Sequence, residues 1–135
     1  QMGCVSFTGS FFPDGKVSAK RLTRARVAAR QELEPIQAAF LARGWDQAVG
    51  SSGTVRAIGE AIRELEPRFA SITPEGLELL LDALLRAGHV RNLGIAAIDE
   101  ERRAVFPAGL CILAEVFEVL GCERMEIADG AMRDG

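Results

Sequence analysis

The hydrophobic positions change period along the chain, and each change marks an element. Val5 and Phe7 alternate with Ser6, Thr8 and Ser10 before Phe11-Phe12, the pattern of a strand with one buried face over Gly3–Phe12. Pro13-Asp14-Gly15 reads as a turn. Ser18 is a natural N-cap. After it Leu22, Ala25, Ala29, Leu33, Ile36 and Phe40 recur every three or four residues, which predicts one long helix over Ala19–Arg43. Pro35 should kink that helix and Gly44 should end it. Trp45–Val49 reads as a short strand. A Gly/Ser loop follows, and then Val55, Ile58, Ala61, Ile62 and Leu65 return to helical spacing until Pro67.

In the second half, Thr73-Pro74-Glu75 combines a capping hydroxyl, a proline at the first helical position and an acid for the dipole. Leu77, Leu80, Leu81, Leu84 and Leu85 form the buried stripe of the helix it opens, and Gly88 should stop it. His89–Ile98 is irregular. Asp99 caps a last helix whose apolar face is Leu110, Leu113, Ala114, Phe117 and Leu120, with Pro107 kinking or splitting it and Gly121 ending it. In Glu123–Ala128, Met125 and Ile127 alternate with charged partners, as in a strand. Strands separated by helices predict an α/β fold: a mixed, mostly parallel sheet flanked by helices.

Within that order, the loop Gly50-Ser51-Ser52-Gly53-Thr54 is the strongest candidate for ligand contact. A strand that ends in glycines and passes into a helix start leaves backbone N–H groups facing outward, a ready site for phosphate. Ser51, Ser52 and Thr54 add hydroxyls, Thr54 could cap the helix, and Arg56 adds a positive charge. The same glycines also suit a plain tight turn. Two sharper readings fail. A phosphate loop of the GxxxxGK[ST] type needs a lysine where Thr54 follows Gly53, and a nucleophile elbow needs Gly-x-Ser-x-Gly. In an open α/β sheet the Asp129–Arg133 turn would share the crevice with the loop. Asp129 and Asp134 could hold a hydrated magnesium ion, though aspartate is also a common turn residue. Arg21, Arg24, Arg26 and Arg30 read as a solvated basic face, His89 as a helix-terminus histidine, and Asp99, Glu100 and Glu101 as helix-start acids. No catalytic constellation is complete.

Composition narrows the picture further. The chain has 135 residues, 48% of them hydrophobic, which suits a single domain over 1–135 with a real core. A net charge of −3 with mixed signs argues against a general nucleic-acid surface. The most apolar stretch, Ala104–Ala114, is too short to span a bilayer, and no signal peptide is evident. Cys4, Cys111 and Cys122 are far apart and unpaired in pattern, so the chain reads as cytoplasmic with reduced thiols. It opens and closes mid-pattern, as an excised piece of something longer would.

Several segments then stand out together and in order: Gly3-Cys4-Val5, Phe11–Gly15, Ala28–Ile36, Gly44-Trp45, Val49–Ile58, Arg103–Leu113 and Asp129–Gly135. By these segments the chain resembles the exopolyphosphatase / guanosine pentaphosphate phosphohydrolase family over essentially its whole length. The resemblance implies an actin-like architecture of two ribonuclease-H-like lobes, this chain being most of the second, C-terminal lobe. Gly50–Thr54 matches the family's Gly-Thr-Ser-Gly-Thr loop with Ser51 in place of the first threonine, and Ala131–Gly135 matches Ala-Leu-Arg-Glu-Gly with two mild departures.

The resemblance also implies a site. Gly50, Ser51, Ser52, Gly53, Thr54, Arg103 and Arg133 would line the phosphate cleft. The family's catalytic glutamate and its two phosphate loops should lie before Gln1, so this chain should hold no catalytic residue and be inactive alone. The first strands of the sheet should be missing too, which would expose a sheet edge. The implied substrates are inorganic polyphosphate and guanosine pentaphosphate, with magnesium as cofactor. The expected partners are the missing first lobe and a second copy of the chain, in a homodimer. The alternative is a non-catalytic polyanion-binding or assembly module that pairs through the exposed edge.

Overall fold

Phe7 and Phe11 decide the first element. They are four residues apart, their ring centroids stand 5.3 Å from each other, and Phe7 is buried while Val5 is 78% exposed. That spacing is helical, and the computed structural model, which describes residues 3–34 and 52–125, has helix α1 at Cys4–Phe11. The expected strand over Gly3–Phe12 is therefore corrected. Alternation placed Val5 and Phe7 on one face, but only Phe7 finds the core.

The other helices among the described residues are α2 (Ala19–Leu33), α3 (Ser52–Leu65), α4 (Pro74–Ala87), the four-residue α5 (Glu100–Arg103) and α6 (Phe106–Leu120). A 3-10 turn, Val90–Asn92, links α4 to the loop before α5. The caps follow the sequence. Ser18 accepts the Arg21 amide at 3.2 Å, Thr73 the Gly76 amide at 3.1 Å, and Asp99 the Arg102 amide at 2.9 Å. Gly88 and Gly121 end α4 and α6 in the left-handed region, with φ of 72° and 65°. Pro107 marks the split between α5 and α6.

The core is built around α6. Every residue from Phe106 to Phe117 is buried, and all five other helices touch it. A helix that is apolar all round must be covered on all sides. Leu22, Ala25, Ala29 and Leu33 of α2, Val55, Ile58, Ala61 and Ile62 of α3, and Leu77, Leu80, Leu81 and Leu84 of α4 belong to the same buried cluster. Among the described residues no helix is long and apolar enough to cross a membrane.

The α/β expectation is overturned. Among the described residues there is no strand and no sheet, only two isolated antiparallel bridges, Lys16 with His89 and Ile72 with Met125. A ladder needs several residues of each strand in register. The described part of Glu123–Ala128 meets Ile72 through Met125 alone, exchanging two backbone bonds of 2.9 Å. The flanking layer of α6 is helix rather than sheet, so the ribonuclease-H-like sheet and its exposed edge have no counterpart among the described residues. The expected strand Trp45–Val49, the Pro35 kink and the stretch of the long helix beyond Glu34 lie outside the described residues.

Candidate functional site

The glycine loop runs into α3 sooner than its hydrophobic spacing suggests. The helix begins at Ser52 rather than Val55, so Ser52, Gly53 and Thr54 form its first turn. Four backbone amides of a first turn have no acceptor within the helix, and the helix dipole adds partial positive charge there. No acidic residue occupies the first turn of α3.

A second helix brings a cation to the same turn. The Arg102 guanidinium, from α5, lies directly over Gly53. A Cβ placed on Gly53 would stand 2.8 Å from Nη2, 3.1 Å from Nη1 and 3.3 Å from Cζ of Arg102. A side chain at position 53 would have to displace the arginine, so glycine here makes room for a charge. The backbone of α5 is fixed by the Asp99 cap. The loop before it is held by Glu64 of α3, whose carboxylate accepts the amides of Ala96 and Ala97 at 2.9 Å each. Helix α3 thus holds the α5 approach at one end and meets Arg102 at the other.

The sequence-predicted residues fare unequally. Gly50, Ser51 and Arg133 lie outside the described residues. Gly53 is where Arg102 docks. Thr54 is not an N-cap: it sits inside the helix and is 8% exposed, with its hydroxyl hydrogen-bonded to the Cys4 thiol. Arg103 ends α5, half-buried, and its Nε is buried without a hydrogen-bond partner among the described residues. Arg102, which sequence reasoning passed over, is the arginine on the loop. Neighbouring residues on a helix differ by about 100° in direction, so adjacent arginines cannot be told apart by sequence alone. The one usable signal was the glycine opposite.

Other charges are already engaged. Arg56 pairs with Glu60 at 3.5 Å along α3. Arg21 donates to Asp14 at 2.5 Å and holds that carboxyl well below its usual range, at about 2, with help from the Lys16 amide. Arg26 and Arg30 of α2 hold the buried Glu115 of α6, through Nε to Oε2 at 2.5 Å and Nε to Oε1 at 2.9 Å, and both also reach Glu118. Of the solvated basic face expected for α2, Arg24 is exposed and Arg21 pairs with the turn residue Asp14, while Arg26 and Arg30 belong to an interhelical ion-pair network. Two clefts, of about 280 and 210 Å³, open beside this network, and their charged walls neutralise one another. His89 accepts the Arg91 amide through Nδ1 at 3.2 Å. Asp129 and Asp134, the residues expected to hold a hydrated magnesium ion, lie outside the described residues, and among those described no group of three or more His, Cys, Asp or Glu side chains could hold a metal ion.

The turn at Ser52–Thr54, with no acidic residue in the first turn of α3 and the Arg102 guanidinium alongside, favours an anion. Comparison with known proteins bears on which anion. The model of the Ppx/GppA phosphatase family matches residues 1–135. A Haemophilus influenzae protein carrying the name exopolyphosphatase is 38% identical over 135 residues, covering 99% of this chain and 42% of its own length. A guanosine-5'-triphosphate,3'-diphosphate pyrophosphatase of Aeromonas hydrophila is 38% identical, covering 99% of this chain and 27% of its own length. One of Vibrio vulnificus is 39% identical, covering 100% and 27%. The chain thus spans less than half the length of each of these relatives.

Proposed function

This chain belongs to the Ppx/GppA phosphatase family. On that premise we propose that the full-length protein carrying it hydrolyses the terminal phosphoanhydride bond of inorganic polyphosphate, of guanosine pentaphosphate, or of both. In this reading residues 1–135 are the second lobe and supply part of the substrate cradle. The amides of Ser52 and Gly53 and the guanidinium of Arg102 receive phosphate oxygens, with Gly50, Ser51, Arg103 and Arg133 contributing to the same cleft. Thr54 serves the turn from inside.

The supporting observation is the seating of Arg102 on Gly53. No carboxylate among the described residues pairs with that guanidinium, and no acid lies in the first turn of α3. A cation with no carboxylate partner among the described residues, set at a helix N-terminus, suits a polyanion, since charge-assisted bonds to phosphate are about twice as strong as neutral ones. The Nε of Arg103, buried without a partner among the described residues, adds a donor nearby in the chain.

The catalytic carboxylate and the ligands of magnesium would come from outside the described residues. The first lobe and a second copy of the chain complete the assembly, and the cytoplasm is its setting. Cys111 and Cys122 are free thiols, which suits that compartment.

The test is phosphate release from polyphosphate and from guanosine pentaphosphate, by the full-length protein and by residues 1–135 alone. Release by the full-length protein and none by the chain alone is expected. Release from neither substrate by the full-length protein overturns the function, and release by the chain alone overturns the placement of the catalytic group.

A further inference from the structure

Thr54 belongs to the phosphate-facing turn by position, yet it points into the protein. Its methyl group fills the space that Gly109 leaves open: a Cβ on Gly109 would stand 2.7 Å from Thr54 Cγ2 and 3.3 Å from Cys4 Sγ. Its hydroxyl is hydrogen-bonded to the thiol of Cys4, itself partly buried. Cys4 opens α1, where its own carbonyl accepts the Thr8 hydroxyl at 2.6 Å. Gly109 belongs to α6, the central helix. Three helices therefore meet at one residue of the turn, and two of them offer it surfaces shaped to its two branches.

We propose that Cys4, Thr54 and Gly109 form a latch of positioning residues that sets how deep the first turn of α3 sits, and with it the gap between Gly53 and Arg102. The proposal rests on the reading of that turn as a phosphate seat. Arg102 lies on α5, just before α6 begins, and Gly109 lies in the first turn of α6, so one short stretch of chain carries both the arginine and the surface against which α3 is seated. Raising α3 off Gly109 moves the Ser52 and Gly53 amides against Arg102. Interiors are close-packed, so an added methyl at 109 is transmitted to its neighbour rather than absorbed. None of the three latch side chains needs to touch substrate. Their effect runs through the geometry of groups that do.

The latch gives a relation between two substitutions that a merely structural role does not. Gly109→Ala introduces the 2.7 Å clash with the Thr54 methyl. Thr54→Ser removes that methyl and keeps the hydroxyl for Cys4. The experiment is steady-state kinetics of the full-length protein on inorganic polyphosphate, with thermal midpoints measured alongside. Gly109→Ala is expected to raise KM about tenfold with kcat within about twofold of the parent, because sub-ångström misplacement of binding groups weakens substrate capture. Adding Thr54→Ser to it returns KM to within about twofold of the parent, since the clash is gone.

An unchanged KM in Gly109→Ala, or a raised KM that Thr54→Ser does not lower, overturns the latch. If Gly109→Ala does not accumulate, Thr54→Val carries the test, since it keeps the shape and loses the hydroxyl. A rise of about threefold in KM is expected, reflecting one lost hydrogen bond, and an unchanged value overturns the proposal. Arg102→Ala is run in parallel. A raised KM there beside an unchanged Gly109→Ala sinks the latch alone. An unchanged KM in Arg102→Ala sinks the phosphate seat on which the latch depends.

Discussion

The guanidinium of Arg102 occupies the space over Gly53 that any other side chain at that position would claim, with Nη2 2.8 Å from where a Cβ would stand. The obstacle is the far end of a flexible side chain, so a methyl group at 53 moves the arginine without disturbing the backbone. Gly53→Ala should therefore separate stability from function. Alanine is favoured over glycine in a helix by about 0.5–1 kcal/mol, so the folded protein should be as stable as the parent or slightly more. Its KM for polyphosphate should rise several-fold. Thermal melts and kinetics on the same preparation check both halves.

Glu115 is the buried acid of α6, with its side chain 4% exposed, and it is held by Arg26 and Arg30. The two guanidiniums offset the cost of taking a carboxylate out of water. Removing the acid leaves two arginines facing a cavity between α2 and α6, and removing both arginines leaves a buried charge. Glu115→Ala should cost about 3 kcal/mol, the scale for breaking a buried pair. Arg30→Ala should cost less, because Arg26 remains bound to Glu115. Urea unfolding midpoints of the two variants give the order.

Asp14 titrates at about 2 instead of 3.8, because Arg21 and then the Lys16 amide favour its charged form. A depressed acid contributes stability that is fully present above its unfolded value and is lost as pH falls through the folded one. The thermal midpoint of the parent should therefore exceed that of Asp14→Asn by a constant amount above pH ~5, and the difference should shrink from pH ~4 to ~2. The pair is exposed, so the difference is small and should fall with added salt.

The three thiols should differ in reactivity. Burial pushes the Cys111 thiol up to about 12, against the opposing charge of Arg26, and it is fully buried in α6. The thiolate is the reactive form, so Cys111 should resist alkylation at neutral pH until the protein unfolds. Cys122, partly exposed, should react first, despite a thiol also raised by burial. Mass spectrometry of peptides after timed iodoacetamide treatment reads the order.

What the sequence disclosed and what it hid follow from range. Caps are local chemistry, so Ser18, Thr73 and Asp99 could be placed from neighbours three residues away, and so could the Gly88 and Gly121 stops. Pro107 likewise announced the break before α6. The first element failed because a short run with Val5 and Phe7 fits both periods, and only the tertiary setting, which leaves Val5 in water, separates them. The sheet failed for a related reason. The alternation around Met125 marks a residue that pairs with Ile72, and alternation over so few residues does not specify a ladder. The family was legible throughout, because ordered motifs survive where single-residue patterns mislead. At the candidate site the glycine was legible and the arginine was not. The choice between Arg102 and Arg103 depends on how α5 docks against α3, a contact between residues far apart in the chain. The ion pairs of Arg26 and Arg30 with Glu115 were hidden in the same way.

The measurement that bears most directly on the central claim is the KM of full-length Arg102→Ala for inorganic polyphosphate, set beside that of Arg103→Ala. Loss of a charge-assisted phosphate contact is worth about 1.5 kcal/mol or more, so Arg102→Ala should raise KM about tenfold or more while the thermal midpoint stays put, and it should do so more strongly than Arg103→Ala. An Arg102→Ala protein with the parent's KM would contradict the account: the cation over Gly53 would then be packing, and the phosphate seat would have to lie elsewhere.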